Sequence, residues 1–278
     1  MFGVFLTSIS SFLEEVFSSI GKYKTSRGEE SLHTMAFLSL LGGTLFFWIL
    51  IFFEREAFRF SFASLPTFIP RVALSVIQEY ITISAIVKAE RSTFSFIRIG
   101  TIPLLLAVDA FLGYTLTMSK IIGITIIVVT LLLLFEDEVF NKKGIGFTFF
   151  STVNAVVTVS LYKYNITYFN SVAAEQGILS LILMFCFFLS AVYIAKENPF
   201  LFLAKSTFLF QAGAQGAAGV IESFAYVFAP ASIIIAAKRS FAMIWSIVSG
   251  NFYFHELHIA IKITAVLFLV GGIVLLTI

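Results

Sequence analysis

The chain is a succession of apolar runs, most of about 20 residues, separated by short polar breaks. A helix needs roughly 20 mainly apolar residues to cross a bilayer. Ten candidate segments follow one another: 3–23, 33–53, 66–88, 92–114, 118–136, 144–164, 169–195, 199–226, 230–252 and 259–278. The longest breaks, "GKYKTSRGEES", "EREAFRF" and "EDEVFNKKG", leave no room for a soluble domain. The expected fold is therefore an all-α membrane protein with ten transmembrane helices. Composition agrees, because 59% of the 278 residues are hydrophobic and only 12% are charged. A soluble domain carries about 25% charged residues. A net charge of +2 without a basic tail is too small to suggest a nucleic acid partner, and none is expected. The N-terminal "MFGVFLTSIS" lacks the positive start of a signal peptide and reads as the beginning of the first helix.

The break near the middle of the chain raises the question of a duplication. Lys22 and Lys163 are 141 positions apart, and so are Arg98 and Arg239. At the same offset Ser19 meets Ser160, Tyr23 meets Tyr164, and Leu38-Ser39-Leu40 meets Leu179-Ser180-Leu181. Apolar matches are cheap in such a chain, but "SSIGKY" beside "SLYKY", together with the two arginines, is not. The halves are expected at 1–137 and 142–278. Five helices in each half is an odd number, so the halves must cross the bilayer in opposite directions. Inverted repeats of this kind are characteristic of secondary transporters, whose substrate site lies near the midplane between repeats.

Two segments carry a resemblance to a known family. "AIVKAERSTFSFIRIGTIPLLLAVDAFLGYTLTMSKIIGITIIVVTLLLL" (85–134) and "YVFAPASIIIAAKRSFAMIWSIVSGNFYFHELHIAIKITAVLFLVGGIVLL" (226–276) resemble the last two helices of an EamA-type repeat. Glu256 occupies the turn position that often bears Glu, and Thr115 replaces it in the first half. The resemblance extends over the whole chain at the level of ten helices and two repeats. It implies the drug/metabolite transporter superfamily without naming a substrate. Lys238-Arg239 is also similar to the Lys-Arg pair that triose-phosphate and related phosphate translocators carry on their penultimate helix, where it binds the substrate phosphate.

Several charged residues lie within the expected spans. A Lys or Arg at a membrane helix centre costs roughly 2.5–3.5 kcal/mol on insertion scales. Lys238 and Arg239 lie about 8 residues into their helix, or about 12 Å. They either face a substrate anion or pair with Glu222 on the preceding helix. Arg98, the mate of Arg239, is three turns from Asp109 and is expected to face the cavity. Lys22 and Lys163 lie near helix ends, where they either snorkel to the interface or join the site. Glu14, Glu15, Glu79 and Glu222 are candidates for proton coupling or for counter-charge. Glu14 and Glu15, being adjacent, cannot point in the same direction. Gln211, Gln215 and the small residues of "AGAQGAAG" (212–219) read as a close-packing helix face.

Other signals fail. "HELH" (255–258) lacks the spacing of a zinc protease, since Ile259 stands where histidine is needed. "NIT" (165–167) is a sequon short enough to recur by chance. Cys186, the single cysteine, sits in an apolar setting and reads as inert. No cofactor, metal or catalytic pattern is present, so no enzyme is expected. For orientation, loops after odd-numbered helices carry Lys22, Lys24, Arg27, Lys88, Arg91, Lys142, Lys143 and Lys196. Loops after even-numbered helices carry Arg55, Arg59 and Lys120. That bias favours both termini outside, whereas the resemblance implies both in the cytoplasm, and the latter is the expectation adopted.

The expected protein is a secondary active transporter in the plasma membrane that moves a small polar, anionic metabolite by alternating access. Its partners are that substrate, the lipid bilayer, and a proton or counter-substrate. Substrate contact falls to Lys238, Arg239 and Arg98, then Lys163 and Lys22. The alternatives are an exporter of amino acids or amphipathic compounds, a lipid-linked sugar flippase, or a non-transporting scaffold, with the cations paired structurally.

Overall fold

The computed structural model describes residues 2–54, 56, 58–111, 117–136, 143–228 and 231–277. Thr115, Arg55, Lys142 and the side chain of Asp109 lie outside the described set. All secondary structure among the described residues is helical, with no strand among them. In chain order the helices are α1 (Phe2–Ser26), α2 (Leu32–Phe53), α3 (Leu65–Lys88), α4 (Arg91–Ile99), α5 (Thr101–Phe111) and α6 (Met118–Glu136). The second half contributes α7 (Ile145–Tyr168), α8 (Val172–Ser190), α9 (Pro199–Phe202), α10 (Ser206–Phe228), α11 (Ala231–Phe254) and α12 (Ile259–Thr277).

Among the described residues, four helical stretches are long and apolar enough to cross a membrane: Leu32–Phe53, Phe62–Lys88, Ile145–Tyr168 and Val172–Ala195. They mark the chain as an integral membrane protein. α6 and α12 add shorter apolar stretches, Met118–Leu134 and Ile259–Leu275. Large apolar side chains such as Phe52, Phe53, Leu132, Phe185 and Phe268 are exposed. A soluble surface does not carry so much apolar area, whereas lipid solvates it.

The fourth expected span, 92–114, is divided in two. Pro103 has no N–H to donate to the Ile99 carbonyl, so the ladder is interrupted there. Gly100 turns between the pieces, with its N–H on the Ile97 carbonyl at 3.0 Å, and Pro103 then falls in the first turn of α5, where it is tolerated. α8 likewise relaxes into a π turn at Ala191–Ala195 and ends at Lys196, which has φ 57°.

The chain forms two compact units, and each draws on both halves of the sequence. Unit 1 comprises Met1–Glu15, Ala85–Val153 and Ile221–Ile278; unit 2 comprises Val16–Ser84 and Asn154–Val220. In unit 1, α6 packs on α12, and α11 packs on α4 and α12. The buried side chains there include Phe96, Ile99, Ile127, Met243 and Leu269. In unit 2, α2 packs along α8, and Phe37, Phe188 and Phe200 form a ring cluster with centroids 5.4–6.0 Å apart.

Candidate functional site

Unit 1 holds a connected set of charges built from four helices and one turn. Successive helical residues point about 100° apart, so α1 sends Glu14 and Glu15 to different partners. Glu15 accepts from Arg91 Nε at 2.9 Å and Nη2 at 2.8 Å, and from the Ser249 hydroxyl. This is the bidentate fork geometry that makes an Arg–carboxylate pair strong. Glu14 instead meets Lys238 Nζ at 3.0 Å, and the same ammonium reaches Glu222 at 2.7 Å. One lysine on α11 thus holds a carboxylate from α1 and another from α10.

Arg98 and Arg239 extend the cluster, since the charges of both reach Glu14. On α4, Arg91, Phe94 and Arg98 share a face at three- and four-residue spacing, and both guanidiniums lie over the Phe94 ring, at 5.4 and 5.3 Å. Arg98, Lys238 and Arg239 against Glu14 and Glu222 leave one positive charge in excess. Such an arrangement can accept a carboxylate or phosphate with little reorganisation of charge.

A second group anchors the start of α4. Glu90 occupies the N-cap position without a side-chain cap hydrogen bond. Glu256, in the turn between α11 and α12, replaces it. Its carboxylate accepts from Arg91 N at 2.5 Å, Ser92 N at 3.3 Å, the Ser92 hydroxyl and Lys262 Nζ at 3.1 Å. A carboxylate at a helix N-terminus satisfies otherwise orphaned N–H groups and meets the positive end of the helix dipole. His255 and His258, with φ 50° and 61°, bend the turn around it. Gly250 makes the approach feasible, because a Cβ there would lie 2.7–2.9 Å from the Glu256 carboxylate. "HELH" is therefore a capping turn.

The remaining candidates belong to unit 2. Lys22 is half-buried on α1, Lys163 is exposed on α7, and Glu79 accepts from the Ser39 hydroxyl at 2.5 Å. Unit 2 also has a buried ion pair absent from the sequence reading, Arg71 Nη1 to Glu175 at 2.5 Å. Asn165 donates to Glu175 at 2.8 Å and Asn170 at 2.5 Å. Asn165 is fully buried, so the "NIT" sequon is occupied by structure. These residues were illegible because each is a lone polar group near the end of an apolar run, with partners supplied by distant segments.

No family model matches the chain, and no curated protein matches it. The glycine-rich stretch on α10 does not act as one continuous face. Gly216 lies against Gly42 of α2, with a Cβ at either one within 2.7 Å of the other's Cα, while Gly213 and Gly219 have open space around them. Gln211 is buried and donates to Glu30. Among the described residues no cluster of His, Cys, Asp and Glu could hold a metal.

Proposed function

We propose that the chain is a secondary transporter of the drug/metabolite transporter kind, with ten spanning helices in two inverted five-helix repeats. It would carry a small polar anion by alternating access. One observation carries the reading: Arg98 and Arg239, 141 positions apart in the sequence, both act electrostatically on the same carboxylate, Glu14. Residues related by a pseudo-twofold axis meet only near that axis, which is where repeat transporters place substrate.

Helix boundaries and packing support the same relation. Leu65 and Ser206 open α3 and α10 at an offset of 141, as Met118 and Ile259 open α6 and α12. Serines at a spacing of 140, Ser31 and Ser171, cap α2 and α8 through Thr34 N and Ala174 N. The packed pairs α2–α8, α4–α11 and α6–α12 are each a helix and its mate.

An arriving carboxylate or phosphate competes with Glu14 and Glu222 for Lys238. Its binding frees α1 or α10 from α11, so occupancy of the site governs how these helices are tied. No step in this scheme is catalytic. The two short contacts of Lys238 favour a second reading, in which the cations are structural and the cargo is an amino acid, an amphipathic compound or a lipid-linked sugar.

Thermal stabilisation of the purified protein against phosphorylated sugars, carboxylates, amino acids and lipids separates the two. Stabilisation by an anion in the wild type, lost in Arg239→Ala, supports anion transport. No anion response, with a loss of stability in Arg239→Ala before any ligand is added, supports the structural reading.

A further inference from the structure

Glu30 lies in the short connection between α1 and α2, yet only 2% of it is exposed. Its direct partner is the Gln211 amide of α10, whose Nε2 donates to both carboxylate oxygens, at 3.2 and 3.3 Å. The charged groups around it do not neutralise it. Lys24, at the end of α1, is engaged with Glu29 at 2.6 Å. Glu197, from the segment after α8, is a second carboxylate whose charge opposes that of Glu30. Glu197 also takes the favourable position at the start of α2, accepting from Ser31 N at 3.3 Å, Ser31 Oγ at 2.6 Å and Thr34 Oγ1 at 2.5 Å. The positive end of the α2 dipole therefore serves Glu197. Finally, Gln211 Oε1 is buried and has no donor.

One added proton resolves all of these features. A carboxylate can use only the N–H side of a primary amide. A carboxylic acid can use both sides, accepting N–H on its carbonyl and donating O–H to the amide oxygen in a cyclic pair. We propose that Glu30 and Gln211 form a proton-binding site in unit 2, in which a single proton on the Glu30 carboxyl is shared with the Gln211 amide. Burial, with the like charge of Glu197 nearby and only a partial offset from the Gln211 hydrogen bond, pushes the Glu30 carboxyl up to about 8. The site is thus loaded or empty according to ambient pH. That the proton drives transport is a use of the site that rests on the function proposed above.

Difference infrared spectroscopy of the full-length protein in detergent, from about pH 6 to 10, reads the carboxyl directly. A protonated-carboxyl C=O band should be present at low pH, fade through about pH 8 and be missing from Glu30→Gln. In Gln211→Leu the band should move to higher wavenumber, because a free acid carbonyl is stiffer than a hydrogen-bonded one. Glu30→Gln mimics the neutral acid and is expected to fold; if it does not, the Gln211→Leu band shift decides alone. A spectrum with no band titrating in this range, or a band unmoved by both substitutions, overturns the proposal. Flux in proteoliposomes is a separate measurement. A titrating band without proton-dependent flux would leave the site standing and remove the coupling role.

Discussion

At the scale of single residues, Arg91 is only 2% exposed and still carries a full charge, held by the Glu15 fork and the Ser249 hydroxyl beside it. Removing one partner of such a pair leaves an uncompensated buried ion, at a cost of about 3–5 kcal/mol. Glu15→Leu should lose that much stability in mixed-micelle denaturation, and adding Arg91→Leu should restore most of it. An undiminished loss in the double variant would mean that Arg91 acts through other partners. Glu30 gives a prediction of opposite character. Its carboxyl is pushed up to about 8, well above the ordinary carboxylate range near 4.5, so ionisation is harder in the folded chain than in the unfolded one. The penalty is absent below about pH 4.5, grows from there to about pH 8 and is complete above it. Glu30→Gln should therefore be more stable than the wild type at pH 9 and lose that advantage towards pH 5. The magnitude is on the order of a few kcal/mol. Glu29 behaves oppositely, since the hydrogen bond from Lys24 lowers its value, but it is exposed and has little leverage.

At the scale of elements, two glycines set how closely segments approach. In a bilayer the lipid is as apolar as the helix surface, so helix association depends on close packing. A methyl at Gly42 would sit 2.7 Å from Gly216 Cα and 3.0 Å from the Ala212 carbonyl, both backbone atoms that cannot rotate away. Gly42→Ala should thus separate α2 from α10 and cost about 1–3 kcal/mol. Gly43→Ala, next to it with open space, should change stability by no more than about 0.5 kcal/mol. Equal effects from both would show that helix propensity matters and contact does not. Gly250→Ala acts differently, by dislodging Glu256 from the start of α4. Loss of that cap should cost about 0.5–2 kcal/mol. Hydrogen exchange should then rise in the first turn of α4, and no such rise would remove the capping role from Glu256.

At the scale of the molecule, the proposed inverted repeat makes a topological prediction. Arg27 and Tyr168 are 141 positions apart, and both are exposed beside the helix ends that precede α2 and α8. Cys186 is the only cysteine, so Cys186→Ser supplies a clean background. Single cysteines at Arg27 and Tyr168 should react with an impermeant maleimide from opposite faces of the membrane. Labelling from the same face would exclude an odd number of crossings between them, and with it the repeat reading.

Helix class and membrane character were legible from the sequence, because hydrophobic runs of spanning length are a local property that each segment carries by itself. The offset of 141 was legible too, since Lys22 with Lys163 and Arg98 with Arg239 need no coordinates to align. Of the ion pairs, Lys238 with Glu222 was legible and the others were not. Glu14 and Glu15 differ by one position, yet one meets Lys238 of α11 and the other Arg91 of α4, both far along the chain. Arg91 looked like a loop cation and Glu256 like part of a failed metal motif until α4, α11 and α12 came together. Glu30 resembled any other acidic residue in a polar break until Gln211 covered it. The sequence by itself determined which segments leave water, through their composition. Only the tertiary structure decided which charges leave water with them, because the energy of a buried ion depends on partners brought from distant parts of the chain.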